Sequence, residues 1–394
     1  MGLRYNVTGV NNTAIGTYSQ KGVSGNSHSN STSVGTNSLF SITTGGNNTA
    51  LGYESLYSVT TQEDNVGIGY KAGYSNTGGQ AILIGREAGY NNTANQTIAI
   101  GAYTLQSQTS GESNIGIGTQ AGRYNATGGG NVYIGVASGK GVSGNNNSHN
   151  TGLGFNALEG ITTGVDNTGL GYQTLHTITT GDYNTAVGGR ALDSMTTGTG
   201  NTAVGYDAGG AFTGGGGVFM GYEAGLSLTS GDTALIGYQA GKRMVGTGNV
   251  GLGYGVLYGA SSTAANNTGT YNTAMGVQAL RWVSKTVGST GIGAEAGYYI
   301  TGSYNTFVGY KSGYGSITSA PYSSGGNNTA VGYATLHNTT SGNDNVAIGY
   351  RAGIATTSAS GSVMIGSGAG SNITTAPGSV GIGYEALQSK TGGV

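Results

Sequence analysis

The sequence predicts an all-β protein, a parallel β-solenoid of about 22 coils of 16–17 residues stacked into an elongated rod. The first observation is the stretch from Asn48 to Leu56, which returns with small changes along almost the whole chain. The second is its spacing. The glycine equivalent to Gly52 can be placed at 22 positions, and of the 21 spacings eleven are 17 residues and six are 16. A repeat this short cannot bury its own apolar face, so the coils must stack on one another.

The residues before this glycine, called the anchor glycine here, predict one short strand per coil. The preceding residue is Ile, Leu, Val or Met in every copy, as at Ile15, Leu51 and Ile68, and the residue three before it is β-branched in all copies but one. A small residue usually lies between the two. Because this alternation is typical of a strand with one buried face, we expect the flanking pair to point into the coil.

Glycine itself is expected at the corner that follows the strand. Gly52, Gly69 and Gly205 occupy this position, where a positive φ or a close approach of two backbones favours a residue without a side chain. On the far side of the coil, Thr-Gly pairs such as Thr44-Gly45 have the composition of a turn.

A column of asparagines precedes the strands. The residue four before the anchor glycine is Asn in 14 of 22 copies, including Asn48, Asn184 and Asn328. Equivalent side chains in stacked coils lie one strand spacing apart, so we expect each amide to bond to its neighbour in an amide ladder.

The repeat also sets the domain organisation. Residues 1–10 resemble a partial first coil, and residues 11–394 form one continuous solenoid with loop insertions near 20–30, 139–149, 258–271 and 314–327. The first two insertions are close copies, one containing His28 and the other His149. The first three follow coils 1, 8 and 15, which suggests a higher-order repeat of seven coils. Neither end has a recognisable cap, so we expect either a piece of a longer fibre or end-to-end stacking.

Composition argues against several kinds of partner. Charged residues make up 7 % of the chain and the net charge is −1, so neither nucleic acid nor an anionic membrane is an expected partner. Cysteine is absent, which removes thiol chemistry. No apolar run approaches the roughly 18 residues that a membrane span requires.

Neither a cofactor nor catalysis is predicted. The dinucleotide-like motif Gly67-Ile68-Gly69 with Gly73 recurs at the coil period and opens no helix, which the phosphate-binding motif requires. The histidines are expected to be exposed loop imidazoles rather than metal ligands. They are His28, His149, His176 and His337.

Tyrosine follows the anchor glycine in half of the copies. We expect these rings to stack along the column, filling a corner or a subunit contact, and the alternative is a stacking surface for glycans. A third idea, suggested by the Thr-Gly turns, is ice binding by a threonine array. Members of the tyrosine column are Tyr53, Tyr70, Tyr172, Tyr206 and Tyr333.

The motifs at Asn12–Gly16, Asn345–Gly349 and Asn328–Leu336 resemble the head repeats of YadA-like trimeric autotransporter adhesins. They are also similar to the repeats of bacterial and phage tail-fibre-like proteins. The resemblance implies a left-handed parallel β-roll, three chains side by side, and a role in surface attachment.

Together these features predict a non-enzymatic extracellular fibre or adhesin shaft, at a cell surface or on a virion. The partner would be a second copy of the chain, in a homotrimer or an end-to-end polymer, together with a host surface glycan or protein. Alternatives are a phage tail-fibre shaft, a self-polymerising filament subunit and an ice-binding solenoid.

Overall fold

A computed structural model describes residues 3–260, 267–315 and 323–388, and within these ranges the chain forms strands and turns but no helix. The chain divides into two compact units, Met1–Gly200 and Asn201–Val394. Each unit is a parallel β-solenoid with one short strand per coil, which confirms the predicted fold class.

The first unit contains eleven three-residue strands, and within the unit those adjacent in the sequence pair in parallel. They are β1 (Thr13–Ile15), β2 (Thr32–Val34), β3 (Thr49–Leu51), β4 (Val66–Ile68), β5 (Ile82–Ile84), β6 (Ile98–Ile100), β7 (Ile115–Ile117), β8 (Val132–Ile134), β9 (Thr151–Leu153), β10 (Thr168–Leu170) and β11 (Thr185–Val187).

The second unit contains the other eleven strands described, with the same parallel pairing. They are β12 (Thr202–Val204), β13 (Val218–Met220), β14 (Ala234–Ile236), β15 (Val250–Leu252), β16 (Thr273–Met275), β17 (Thr290–Ile292), β18 (Thr306–Val308), β19 (Thr329–Val331), β20 (Val346–Ile348), β21 (Val363–Ile365) and β22 (Val380–Ile382).

Equivalent residues of successive coils lie next to one another in register. Ile15 pairs with Val34, and Val34 pairs with Leu51. The predicted single file of like residues is therefore confirmed within each unit.

The expectation about the direction of the strand side chains was wrong. The central small residue points into the coil, and the flanking pair points outward: Ala50 is 1 % exposed and Leu51 46 %. The interior is instead supplied by the corner that follows the anchor glycine, where Leu56 is fully buried. Since that leucine fills much of the narrow interior, the strand contributes only a small side chain opposite it.

The sizes of the central strand residue and of the corner residue vary in opposite directions from one coil to the next. Where the central residue is large, the corner residue four after the anchor glycine is itself glycine. A Cβ at Gly89 would lie 2.5 Å from Leu83, and a Cβ at Gly139 would lie 2.2 Å from the Tyr133 ring. The large central residues are Leu83, Tyr133, Phe219, Leu235, Phe307 and Met364.

The predicted asparagine ladder is present and buried. Asn184 Nδ2 donates to Asn167 Oδ1 at 2.9 Å, and Asn167 Nδ2 donates to Asn150 Oδ1 at 3.1 Å. Most of these amides also bond across the coil, as Asn167 does to the turn carbonyl of Gly181 at 2.8 Å. The column thus joins one coil to the next and the strand to the opposite turn.

The first two loop insertions have the same local structure. Asn26 Nδ2 donates to the Ile42 carbonyl at 2.9 Å, and Asn145 Nδ2 donates to the Ile161 carbonyl at 3.2 Å. Parts of the insertions predicted near 258–271 and 314–327 lie outside the described residues.

The two loop histidines are not equivalent, contrary to expectation. His28 is fully buried, with Nε2 3.0 Å from Gln20 Oε1, whereas His149 is exposed. Counting from the shared Lys-Gly start of each loop, the counterpart of His28 is Asn147, which accepts a hydrogen bond from the Tyr133 hydroxyl. Sequence proximity to glycines and serines suggested exposure, but the His28 ring is enclosed and contacts Gln20, which is itself fully buried.

Candidate functional site

The outward side chains of the strands form a continuous apolar surface in each unit, called the aliphatic stripe here. It consists of the third residue of each strand, from Ile15 to Val187 in the first unit and from Val204 to Ile382 in the second. None of these side chains is buried, although all are Ile, Leu, Val or Met. Ile15, Leu51 and Ile68 therefore line up in the predicted column, but their side chains lie on the outside of the coil and not inside it.

Next to the stripe, across the anchor glycine, the tyrosines stack as predicted. Ring centroids are 5.5 Å apart for Tyr53 and Tyr70, 5.6 Å for Tyr206 and Tyr222, and 5.2 Å for Tyr333 and Tyr350. Tyr172 stacks on Phe155 at 5.7 Å. Because neighbouring rings cover one another's faces, a tyrosine inside the column presents mainly its edge and hydroxyl to solvent.

Charged side chains follow several of these tyrosines in the sequence. Lys71 Nζ lies 3.4 Å from Glu54 Oε2. A hydrogen bond with Glu54 raises the pKa of Tyr53, and one with Glu385 does the same for Tyr384. Each of these carboxylates thus favours the neutral phenol beside it.

A second aromatic column was missed by the sequence analysis. It lies five residues after the anchor glycine, where Phe40 and Tyr57 stack at 4.8 Å and Tyr57 and Tyr74 stack at 4.9 Å. The same alignment on the anchor glycine contains this signal, one position beyond the columns that were considered.

In four successive coils the same position carries Lys140, Glu159, His176 and Asp193. Glu159 accepts from Lys140 at 3.2 Å and lies 3.1 Å from His176 Nε2, and Asp193 lies 3.4 Å from His176 Nδ1. The imidazole of His176, expected to be exposed, is half-buried and lies between the carboxylates of Glu159 and Asp193 in the neighbouring coils. Such a row stabilises neighbouring coils and needs no ligand.

A metal centre has no support in the described ranges, where no group of three or more His, Asp or Glu side chains could hold an ion. A surface depression of about 480 Å³ is polar and acidic, with Glu63, Asp64 and Glu112 on its walls.

In the second unit, one coil with a small residue in the tyrosine column lies between two coils that both carry tyrosine. Ser367 stands between Tyr350 and Tyr384, and a depression of about 370 Å³ opens there. It is called the notch below.

Within the part of the chain that the structure describes, no helix is long and apolar enough to cross a membrane. Comparison with known proteins finds no family model, no curated protein and no solved structure that matches this chain.

Proposed function

We propose that this chain is the shaft of a non-enzymatic extracellular fibre or adhesin, in which copies of the chain pack side by side through the aliphatic stripe. The observation that carries the proposal is the stripe itself. Soluble monomers rarely expose a contiguous apolar patch larger than a few hundred Å², and larger ones mark interaction sites. In the first unit the stripe runs along eleven consecutive strands.

The lack of charge on the stripe and its regular spacing both favour a second copy of the chain as the partner. The stripe carries no charge, and each copy presents the same residues at the same strand spacing, so two or three stripes match rung by rung. Closed symmetry is the usual arrangement of such assemblies. The resemblance to adhesin head repeats favours three chains. The small central residues such as Ala50 are buried inside the coil and do not take part in this contact.

The test is the mass of the purified chain in solution, measured by light scattering. We expect a trimer for the natural sequence. Replacing Leu153, Leu170 and Val187 with Asp should give a monomer with an unchanged β-sheet circular dichroism spectrum, because these side chains are not buried within the chain.

A matched control replaces Val23 and Val142 with Asp. Both valines are exposed on the inserted loops, away from the stripe. This variant should keep the mass of the natural chain. A monomeric natural chain, or a stripe variant that stays oligomeric, would contradict the proposal.

Electron microscopy of the same sample separates the fibre alternatives. Particles of one length with several chains in cross-section favour a fibre or tail-fibre shaft. Filaments of varied length, growing with protein concentration, favour a subunit that polymerises end to end.

Ice binding is the second candidate, favoured by a different array from the one first considered. The turn threonines are engaged, since Thr162 Oγ1 donates to the Thr179 carbonyl at 2.9 Å. On the outward strand face, however, Thr151, Thr168 and Thr185 stand in register. Thermal hysteresis above that of an equal concentration of a control protein would favour this function over the fibre.

A further inference from the structure

We propose that the notch in the tyrosine column of the second unit binds one pyranose ring of a saccharide, sandwiched between Tyr350 and Tyr384. This inference names the class of ligand that the proposed fibre would hold. It rests on the proposed function only for the biological role of the binding, not for the binding itself.

The notch exists because one coil lacks its large outward side chains. Ser367 replaces the tyrosine of the column, and Gly368 and Ser371 replace the longer side chains that flank it in neighbouring coils. The resulting space of about 370 Å³ is at the small end of the range for ligand sites, roughly 300–1,000 Å³, which suits a single sugar unit.

Two tyrosine side chains, Tyr350 and Tyr384, border this space. Tyr333 covers one face of Tyr350 at 5.2 Å, and the other face is directed toward the Ser367 rung. Tyr350 is 54 % exposed and Tyr384 77 %. The two rings are two coils apart, which at the strand spacing corresponds to roughly 9.6 Å.

That separation fits a saccharide ring better than a flat aromatic ligand. Carbon atoms in contact lie about 3.5–4.0 Å apart, so a planar ring between two tyrosines needs only about 7 Å. A puckered pyranose with C–H groups on both faces is thicker and fills more of the gap. Aromatic side chains offer such C–H faces an apolar surface, while the hydroxyls of the sugar point sideways to the rim.

The rim supplies matching polar groups. Arg351 donates hydrogen bonds, Glu385 accepts them, and Asn372 and Gln388 do both. Within the described residues Arg351 makes no ion pair, so its guanidinium is available. One cation and one carboxylate offset each other, as suits a hydroxyl-rich ligand of low charge.

The notch continues into a second depression of about 290 Å³ that shares Tyr350 and Arg351 and ends at Lys311 and His337. This space opens because Ala334 stands where neighbouring coils carry Lys311 and Arg351. A saccharide chain lying along the column would therefore place a second unit beside the first.

Saturation-transfer NMR on the purified full-length chain tests the proposal. The probes are the methyl glycosides of glucose, galactose, mannose and N-acetylglucosamine, each at millimolar concentration. We expect transfer to the ring C–H protons of at least one of them. The proposal is overturned if none of the four receives saturation.

Ser367→Tyr is the decisive variant. It gives this coil the tyrosine that both neighbouring coils carry, fills the notch and should abolish the signal while the circular dichroism spectrum stays unchanged. Tyr350→Ala should weaken binding roughly tenfold, because one stacking surface is lost, whereas Tyr350→Phe should retain it. The control is Tyr53→Ser, which removes a tyrosine flanked by Thr36 on one side and so creates no two-sided slot.

If saturation transfer to the glycoside persists in Ser367→Tyr, the sugar binds elsewhere and the proposal is wrong. Light scattering on the same samples reports assembly separately. A monomer that still binds sugar through the notch would contradict the proposed fibre and leave this inference standing.

Discussion

At the residue scale, the anchor glycines are fixed by two independent constraints. Gly52 has a φ of +136°, and a Cβ placed on it would lie 2.4 Å from the carbonyl oxygen of Gly69 in the next coil. The first constraint is conformational and the second is steric, since a real Cβ does not approach a backbone oxygen so closely.

Gly52→Ala should therefore lower the free energy of unfolding more than Gly383→Ala. At Gly383 φ is +124° but no atom of the described residues lies within 4 Å of the added Cβ, so only backbone strain of about 1–3 kcal/mol is expected. Urea unfolding followed by circular dichroism measures both. Equal losses for the two variants would show that the contact between coils is unimportant.

The exchange of volume between strand centre and corner gives a second prediction. Leu83→Ala should cost about 2–5 kcal/mol by opening a cavity beside Gly73 and Gly89. Adding Gly89→Leu gives this coil the combination found in the next one, where the strand centre is Ala99 and the corner residue is Leu105. The second substitution should recover part of the lost free energy of unfolding. Leu105 itself adopts a φ of +45°, so a leucine is tolerated at this corner.

A double-mutant cycle measures this coupling through thermal unfolding of the two single variants and the double variant. Gly89→Leu alone should destabilise the chain, because the new side chain meets Leu83. If the two substitutions change the stability additively, the sizes of residues 83 and 89 are not coupled and this prediction is wrong.

Burial of His28 predicts a local dependence on pH. Desolvation lowers the pKa of His28 below its usual 6.5. The unfolded imidazole therefore takes up a proton as the pH falls through 6.5 while the folded one resists it, and the free energy of local opening decreases. Above that pH both states are neutral and the effect vanishes.

Hydrogen exchange of the Gln20 amide, which donates to the Ser38 carbonyl, reports this opening. After correction for the intrinsic exchange rate, protection should be lower at pH 5 than at pH 7.5. His28→Asn, which introduces the residue type of the counterpart Asn147, should remove the difference. An equal pH response in the variant would assign it to another group.

At the scale of the element, the asparagine column stabilises each coil in two directions. Asn167 accepts a hydrogen bond from the backbone N–H of Asn184 and donates to both Asn150 and Gly181. Removing it leaves several buried partners without a bond, which costs more than the bond itself contributes.

Asn167→Ala should lower the free energy of unfolding by about 1–3 kcal/mol or more. Asn167→Ser should cost less, because serine already serves in this column: Ser362 Oγ accepts from the N–H of Ser379 at 3.2 Å. Thermal unfolding ranks the two variants. A serine variant less stable than the alanine variant would contradict this role of the column.

At the scale of the whole molecule, the stripe links stability to assembly. If copies of the chain cover the stripe, the folded oligomer is favoured by mass action and Tm rises with protein concentration. The variant with Asp at positions 153, 170 and 187 should show no such rise. Differential scanning calorimetry over a hundredfold range of concentration makes the comparison, and a Tm of the natural chain independent of concentration would count against side-by-side packing.

The sequence by itself determined the coil length, the place of each strand, the glycine corner and the asparagine column. These features depend on local backbone preferences and on the stacking of identical residues, both of which a fixed period records. The tyrosine stack followed for the same reason, since Tyr53 and Tyr70 occupy equivalent positions in successive coils.

Only the tertiary structure decided which side of the strand faces inward. In a three-residue strand, Thr49 and Leu51 share one face and Ala50 the other, and the pattern alone does not say which face meets the interior. The corner decides it: Leu56 already fills the space inside the coil, so the large strand side chains are left outside. The burial of His28 and the notch at Ser367 depend in the same way on what neighbouring coils contribute, which no single coil encodes.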